Sequence, residues 1–273
     1  MKHESDYCAY LDDVRAIAAD AGQRILEIYE RDYTVSIKGD GSPLTEADRA
    51  AHTLIVKRLK ALTPDMPVLS EESAETAYED RAGWTSFWLV DPLDGTKEFI
   101  KHNGEFTVNI ALIEGQSPVL GVVSAPAVGV TYWACQGHGA FKQDHGGTAQ
   151  AIRSRVYQGG KARVVASRSH PGEQLARFLS NVARAQGEPE TLSMGSALKL
   201  CLVADGTADV YPRFGPTSEW DTAAAHCVVQ IAGGRITAMD KAPLQYNKRS
   251  LLNPWFLVSG VGDYDWSAHL PQN

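Results

Sequence analysis

Apolar side chains recur at Leu11, Val14, Ile17, Ala18, Ala21, Ile25 and Ile28, close to a 3.6-residue repeat, and predict an amphipathic helix within residues 6–30. The turn-rich segment 38–43 follows, and Thr45 is placed to cap a second helix reading EADRAAHTLIVKRLKAL, with Asp48 in its first turn. The pattern then shortens. Apolar runs at 87–90, 106–113, 118–124 and 130–135, separated by Gly, Pro or Asn, predict strands of a mostly antiparallel sheet. From about residue 150 helix and strand alternate: strands at 163–167 and 208–213, helices near 171–186, 196–206 and 220–232, the last stopped by Gly233-Gly234. An α/β (α+β) chain is expected, in two closely packed halves at 1–155 and 156–273, without an internal repeat or a long linker.

Composition narrows the function. A chain of 273 residues, 44% hydrophobic, can bury one large core or two moderate ones. Its formal net charge of -7 argues against gripping a nucleic acid polymer, which requires a basic face. An anionic substrate must be met locally, by metal or by a few cations. The four cysteines contain no CxxC pair and are too few for a disulfide scaffold, which fits a reducing cytoplasm. No run has the apolar character of a secretory signal or reaches the roughly 18 residues of a membrane span; peripheral contact with the inner membrane stays open.

The chemistry concentrates in Trp88-Leu89-Val90-Asp91-Pro92-Leu93-Asp94-Gly95-Thr96, where a strand runs into two carboxylates and a glycine. At a strand's end these carboxylates are expected to be exposed. Pro92 biases Asp91 towards extended backbone and Gly95 permits a tight reversal, so both can converge on one point with the Leu93 carbonyl. Oxygen-only ligands suit Mg²⁺. Taken alone the segment reads equally well as an Asp- and Gly-rich turn. Glu71 and Glu72 directly follow another short apolar run, Val68-Leu69-Ser70. Asp221 stands in the first turn of a small-residue helix, where by itself it reads as a helix cap, although the alanines at 223–225 allow another layer to approach.

In order and at suitable separations, Glu71-Glu72, Asp91-Pro-Leu-Asp-Gly-Thr96 and Trp220-Asp221-Thr-Ala-Ala224 resemble the motifs of the inositol monophosphatase superfamily. The stretch from Asp91 to Leu112, above all Lys97-Glu98-Phe99, closely resembles the CysQ-type 3'(2'),5'-bisphosphate nucleotidases, and the likeness continues through Ser167–His170, Gly195–Lys199 and Tyr211–Pro216. The resemblance implies a layered αβαβα sugar-phosphatase-like fold and a phosphoric monoester hydrolase. It implies that Glu71, Asp91 and the Leu93 carbonyl hold one Mg²⁺, that Asp91, Asp94 and Asp221 hold a second, and that Glu71 reaches a third, weaker one. It further implies that Thr96 and Asp48 orient the attacking water. Gly95 and Thr96 would bind phosphate through their N–H groups, and His170, Ser196, Lys199 and Arg213 would contact the nucleotide. The implied substrate is a small nucleotide bisphosphate, 3'-phosphoadenosine 5'-phosphate of sulfur metabolism, cleaved to AMP and phosphate, with sensitivity to Li⁺.

Without the resemblance, these last four residues read as ordinary surface charges and a structural histidine. The nearest rival is an inositol monophosphatase or sugar-bisphosphate phosphatase with the same metal core. A haloacid-dehalogenase-type phosphatase fits less well: its paired aspartates lie one residue closer than Asp91 and Asp94, on a strand that opens the chain. A metal or nucleotide binder without activity has no use for Thr96 and Asp48.

Overall fold

The computed structural model describes residues 6–37, 43–73, 76–167 and 172–271. After one 3₁₀ turn the predicted repeat forms helix α1 (Leu11–Tyr29), whose buried positions include Leu11, Val14, Ile17, Ala21, Ile25 and Ile28. A short hairpin, β1 (Val35–Ile37) and β2 (Pro43–Thr45), leads into α2 (Glu46–Leu62). Next come β3 (Val68–Ser70), the single turn α3 (Tyr78–Arg81), β4 (Ser86–Asp94) and α4 (Thr96–Ile100). An antiparallel meander follows: β5 (Thr107–Glu114), β6 (Ser117–Ala125), β7 (Val130–Cys135), β8 (Gly139–Asp144) and β9 (Gln150–Ala151). Strands β3 to β9 form one seven-stranded sheet in sequence order, with β3 parallel to β4 and the rest antiparallel.

The remainder holds β10 (Arg163–Ser167), α5 (Glu173–Gln186), β11 (Glu190–Met194), α6 (Leu198–Ala204), β12 (Val210–Arg213), α7 (Glu219–Ile231), β13 (Arg235–Ala238) and β14 (Phe256–Ser259). Its five-stranded sheet has the order β11-β10-β12-β14-β13. The pairs of β10 with β11 and β12 are parallel, and those of β14 antiparallel.

Alternation along the strands sorts the side chains into layers. On β4, Trp88 and Val90 face α1 and α2, meeting Ile17, Ile25, Ile55 and Leu59. Their neighbours Phe87 and Leu89 point the other way, into a core shared with α6, α7 and Val165, Tyr211 and Val258 of the second sheet. The outer face of that sheet, with Val164, Val210 and Leu257, packs on Phe178 and Val182 of α5. The order is therefore α1/α2, sheet, α6/α7, sheet, α5: the expected αβαβα arrangement. Each large apolar side chain buried this way stabilises by about 1.5–3 kcal/mol.

Helix α7 is apolar or small nearly all round because it lies between two sheets. Ala223, Ala224 and Ala225 are fully buried, and a Cβ added to Gly121 of β6 would lie 2.8 Å from that of Cys227. The alanine run does bring another layer close.

One expectation needs amending. Cys8 and Cys135 form a disulfide with their Cα atoms 5.8 Å apart, tying the turn before α1 to β7, while Cys201 and Cys227 are buried and free. A sequence separation of 127 residues hides such a pair from spacing rules; only the packing of α1 across the sheet brings it together. Among the described residues no helix is long and apolar enough to cross a membrane.

Candidate active site

Strand β4 does not end at Asp91. Asp91 stands opposite Asn109 and Asp94 opposite Thr107, so three steps on β4 match two on β5 and one extra residue is accommodated. In a regular strand, residues three apart face opposite sides; the extra residue cancels that opposition and lets both carboxylates face one site. The Leu93 N–H donates to Asp91 Oδ1 (3.1 Å). Gly95 then takes a left-handed φ of 91°, where an added Cβ would stand 3.2 Å from the Glu105 carbonyl oxygen, and α4 begins at Thr96. Asp91 is 1% exposed, which corrects the expectation of an exposed strand end: the strand continues past it and the inner helix layer covers it.

The remaining carboxylates arrive from different elements. Ser70 pairs with Val90, so Glu71, the next residue, lies beside Asp91 and shares a hydrogen bond with it. Asp221 does cap its helix, its Oδ2 accepting the Ser218 N–H (2.9 Å), yet its charge also bears on Asp91 and Asp94. The cap and cluster readings are thus compatible in one side chain. Burial, then Glu71, Asp94 and Asp221, push the Asp91 carboxyl well above the usual range. Asp94 is raised by burial, against the pull of Lys199, and Asp221 by burial and Asp94 to about 8.

Carboxylates crowded at this density are stable as anions only with cations among them. The donor set is all oxygen, which fits hard divalent ions. The buried Asn109 Oδ1 and Thr107 Oγ1 beside it have no hydrogen-bond partner. Among the described residues no three acidic, histidine or cysteine side chains are drawn into a closed metal shell.

Asp48 and Thr96, 48 residues apart, do meet. The Thr45 cap donates its N–H (2.7 Å) and hydroxyl (2.5 Å) to Asp48 Oδ2, leaving Oδ1 to accept the Thr96 hydroxyl at 3.3 Å. The same carboxylate that closes the capping box of α2 therefore orients Thr96.

A cavity beside the carboxylates is lined by Asp94, Ser196, Lys199, Tyr211, Arg213 and Asp221, together with Thr217, Thr222 and Phe256. Lys199 is buried, its ammonium donating to the Ser196 carbonyl (2.7 Å); burial lowers its pKa to about 8, opposed by Asp94. Arg213 donates one N–H to the Pro216 carbonyl (2.9 Å), and its buried Nε has no partner. Ser196 carries a left-handed φ of 44°, an unfavourable conformation for serine of the kind that concentrates at functional sites. His170 lies outside the described residues.

Within Lys97-Glu98-Phe99, Lys97 is exposed and Phe99 is buried among Tyr29, Tyr33 and Phe106, whereas Glu98 is buried where its charge bears on Asp94 and Lys199. Sequence reasoning missed Asn109, set in an apolar run, and Tyr211, Thr217 and Thr222, which carry no charge to single them out.

The model of the inositol monophosphatase family matches residues 9–257. The 3'(2'),5'-bisphosphate nucleotidase CysQ of Escherichia coli K12 is 50% identical over 252 residues, 91% of this chain and 99% of that protein. Among solved structures, CysQ of Bacteroides thetaiotaomicron, a bacterial member of the inositol monophosphatase family, is 42% identical with a TM-score of 0.82, covering 93% of this chain and 99% of that one. The extragenic suppressor protein suhB of Bartonella henselae is 26% identical with a TM-score of 0.76, covering 92% and 94%.

Proposed function

This chain belongs to the inositol monophosphatase family, whose members are metal-dependent phosphatases generally using Mg²⁺, and from that premise we propose that it is a 3'(2'),5'-bisphosphate nucleotidase. Its substrate is 3'-phosphoadenosine 5'-phosphate, cleaved to AMP and phosphate. The observation that carries this reading is the cavity that Asp94 and Asp221 line together with Lys199 and Arg213. An acidic wall for cations and the phosphate to be cleaved, next to two cationic side chains, suits a substrate with a second phosphate. The 50% identity to a nucleotidase over nearly its whole length supports the same reading.

In this proposal Glu71, Asp91 and the Leu93 carbonyl hold one Mg²⁺, Asp91, Asp94 and Asp221 a second, and Glu71 a third. When bound, the ions supply charge to the phosphoryl oxygens and a more acidic water for in-line attack. The protein's own part begins with Asp48. Its Oδ2 is engaged by Thr45, so Oδ1 accepts the Thr96 hydrogen and turns a lone pair of Thr96 Oγ1 towards the site. The attacking water gives its proton towards Thr96 Oγ1, which passes its own to Asp48 Oδ1. The N–H groups of Gly95 and Thr96, at the start of α4, take oxygens of the reacting phosphate. Lys199 and Arg213 read the phosphate that stays; charge-assisted bonds from a guanidinium fork suit it. Ser196 and His170 contact the nucleoside. The labour divides between 1–155, which contributes Glu71, Asp91 and Asp94, and 156–273, which completes the substrate site.

Replacing Lys199 or Arg213 with alanine is expected to lower kcat/KM for 3'-phosphoadenosine 5'-phosphate by roughly ten- to a hundredfold, since each charge-assisted bond is worth about 1.5–3 kcal/mol. Inositol 1-phosphate, which has no second phosphate, should lose much less. The ratio of the two kcat/KM values in each variant and the parent is the measurement. A loss equal on both substrates would mean that this pair does not read the second phosphate.

A further inference from the structure

Asp221 lies in the first turn of α7, whereas Glu71 directly follows β3 and Asp91 and Asp94 lie on the adjoining β4, and these two strands make up the wall of the site. Behind the cluster, a continuous set of buried polar contacts links these two parts. Glu219, two residues before Asp221 and fully buried, accepts the N–H groups of Asn247 (2.7 Å) and Lys248 (3.0 Å) and the Lys248 ammonium (2.6 Å). The Glu219 N–H donates to the Leu251 carbonyl (2.8 Å), and Asn253 Nδ2 donates to the Ser218 carbonyl (2.8 Å) and the Thr222 hydroxyl (3.1 Å). Residues 246–253 therefore wrap the first turn of α7.

The wrap is tied in turn to α3. Arg81, 2% exposed, donates to Asn247 Oδ1 (2.8 Å) and the Arg249 carbonyl (3.1 Å), while Asn247 Nδ2 donates back to the Arg81 carbonyl (2.8 Å). Asn247 holds a left-handed φ of 60°, which lets its backbone face Glu219 while its side chain faces Arg81. Helix α3, fastened this way, leads into β4, the strand of Asp91 and Asp94.

We propose that Glu219, Asn247 and Arg81 form a brace that holds Asp221 against the wall carrying Glu71, Asp91 and Asp94, making them positioning residues for metal binding. The inference rests on reading those four carboxylates as ligands. Like charges facing one another across a layer boundary push the layers apart, and apolar packing between them has no direction in the plane of contact. Hydrogen bonds from a guanidinium fork and a fixed carboxylate do have direction. Neither Arg81 nor Glu219 lines the cavity, and Glu219 reaches a lining residue only through its backbone carbonyl, which accepts the Thr222 hydroxyl (3.2 Å), so the effect of the Arg81 and Glu219 side chains must pass through Asp221 and β4.

Asn247→Gly tests the brace with little collateral damage. Glycine accepts the left-handed backbone and keeps the N–H to Glu219, so only the two side-chain contacts with Arg81 are lost. Mg²⁺ binding is measured by calorimetry on the full chain, far below the unfolding midpoint, beside the midpoint itself. The brace predicts Mg²⁺ affinity weakened roughly tenfold or more, with kcat returning close to the parent value at saturating Mg²⁺. Arg81→Lys, which keeps the charge but not the fork, should fall between parent and Asn247→Gly. Parent-like Mg²⁺ affinity in both folded variants, with only the midpoint lowered, would overturn the brace and leave the metal assignment standing. A parent chain that binds no Mg²⁺ would overturn both.

Discussion

Asp91→Asn is expected to remove phosphatase activity by on the order of a thousandfold while leaving the fold intact. Asp91 is the carboxylate common to both proposed Mg²⁺ positions, and it faces Glu71, Asp94 and Asp221 from a fully buried place on β4. An amide of the same shape keeps an oxygen to accept the Leu93 N–H but contributes no charge to a cation. Without metal, removing one negative charge from the cluster relieves repulsion, so the unfolding midpoint of the metal-free variant should equal or exceed that of the parent. Activity assays at saturating Mg²⁺ and thermal unfolding with and without the ion check both halves. Near-parent turnover in the folded variant would remove Asp91 from the metal site.

The second large effect belongs to the pair that handles the proton. Thr96→Ala and Asp48→Asn should each cost roughly 10²–10⁴ in kcat, the usual contribution of positioned acid–base groups. The two differ in stability. Asp48 also closes the capping box of α2 with Thr45, so its substitution should destabilise by about 1 kcal/mol, whereas Thr96→Ala leaves the cap untouched. Because Thr96 acts through Asp48, the double variant should be scarcely slower than either single one. Fully multiplicative losses in the double variant would mean that the two residues work separately.

The elements that the sequence discloses are those whose burial is one-sided or complete. Helix α1 shows its apolar stripe, and β4 to β7 show runs such as FWLV and FTVNIALI because both faces of the first sheet are covered. Strands β8, β11 and β13 stay hidden because few of their side chains are buried, none in Glu190–Met194, whereas β14 is mostly buried and is missed all the same. The extra residue in β4 is likewise invisible in sequence, although it decides that Asp91 and Asp94 share a face. Spacing alone leaves Glu71 or Glu72 open and reads Asp221 as a cap; it is the family resemblance that singles out Glu71, Asp91, Asp94 and Asp221, whose charges bear on one another in the structure. Neither was enough for the Cys8–Cys135 pair or for Arg81 and Asn247, whose partners lie 127 and 166 residues away and are set by packing alone. Lys97-Glu98-Phe99 combines both kinds of signal, a buried ring in Phe99 and a carboxylate in Glu98 whose charge bears on Asp94 and Lys199.

An acidic, metal-holding wall and the Lys199/Arg213 cations are proposed to select a small bisphosphate together. The decisive measurement is phosphate release by the unmodified chain, from 3'-phosphoadenosine 5'-phosphate and from inositol 1-phosphate, with Mg²⁺ and after its removal by chelation. Release should depend on Mg²⁺, with a kcat/KM at least about tenfold higher for the nucleotide, the least that one charge-assisted contact to the second phosphate supplies. Equal or better turnover of inositol 1-phosphate, or release that persists without the metal, would contradict the proposal.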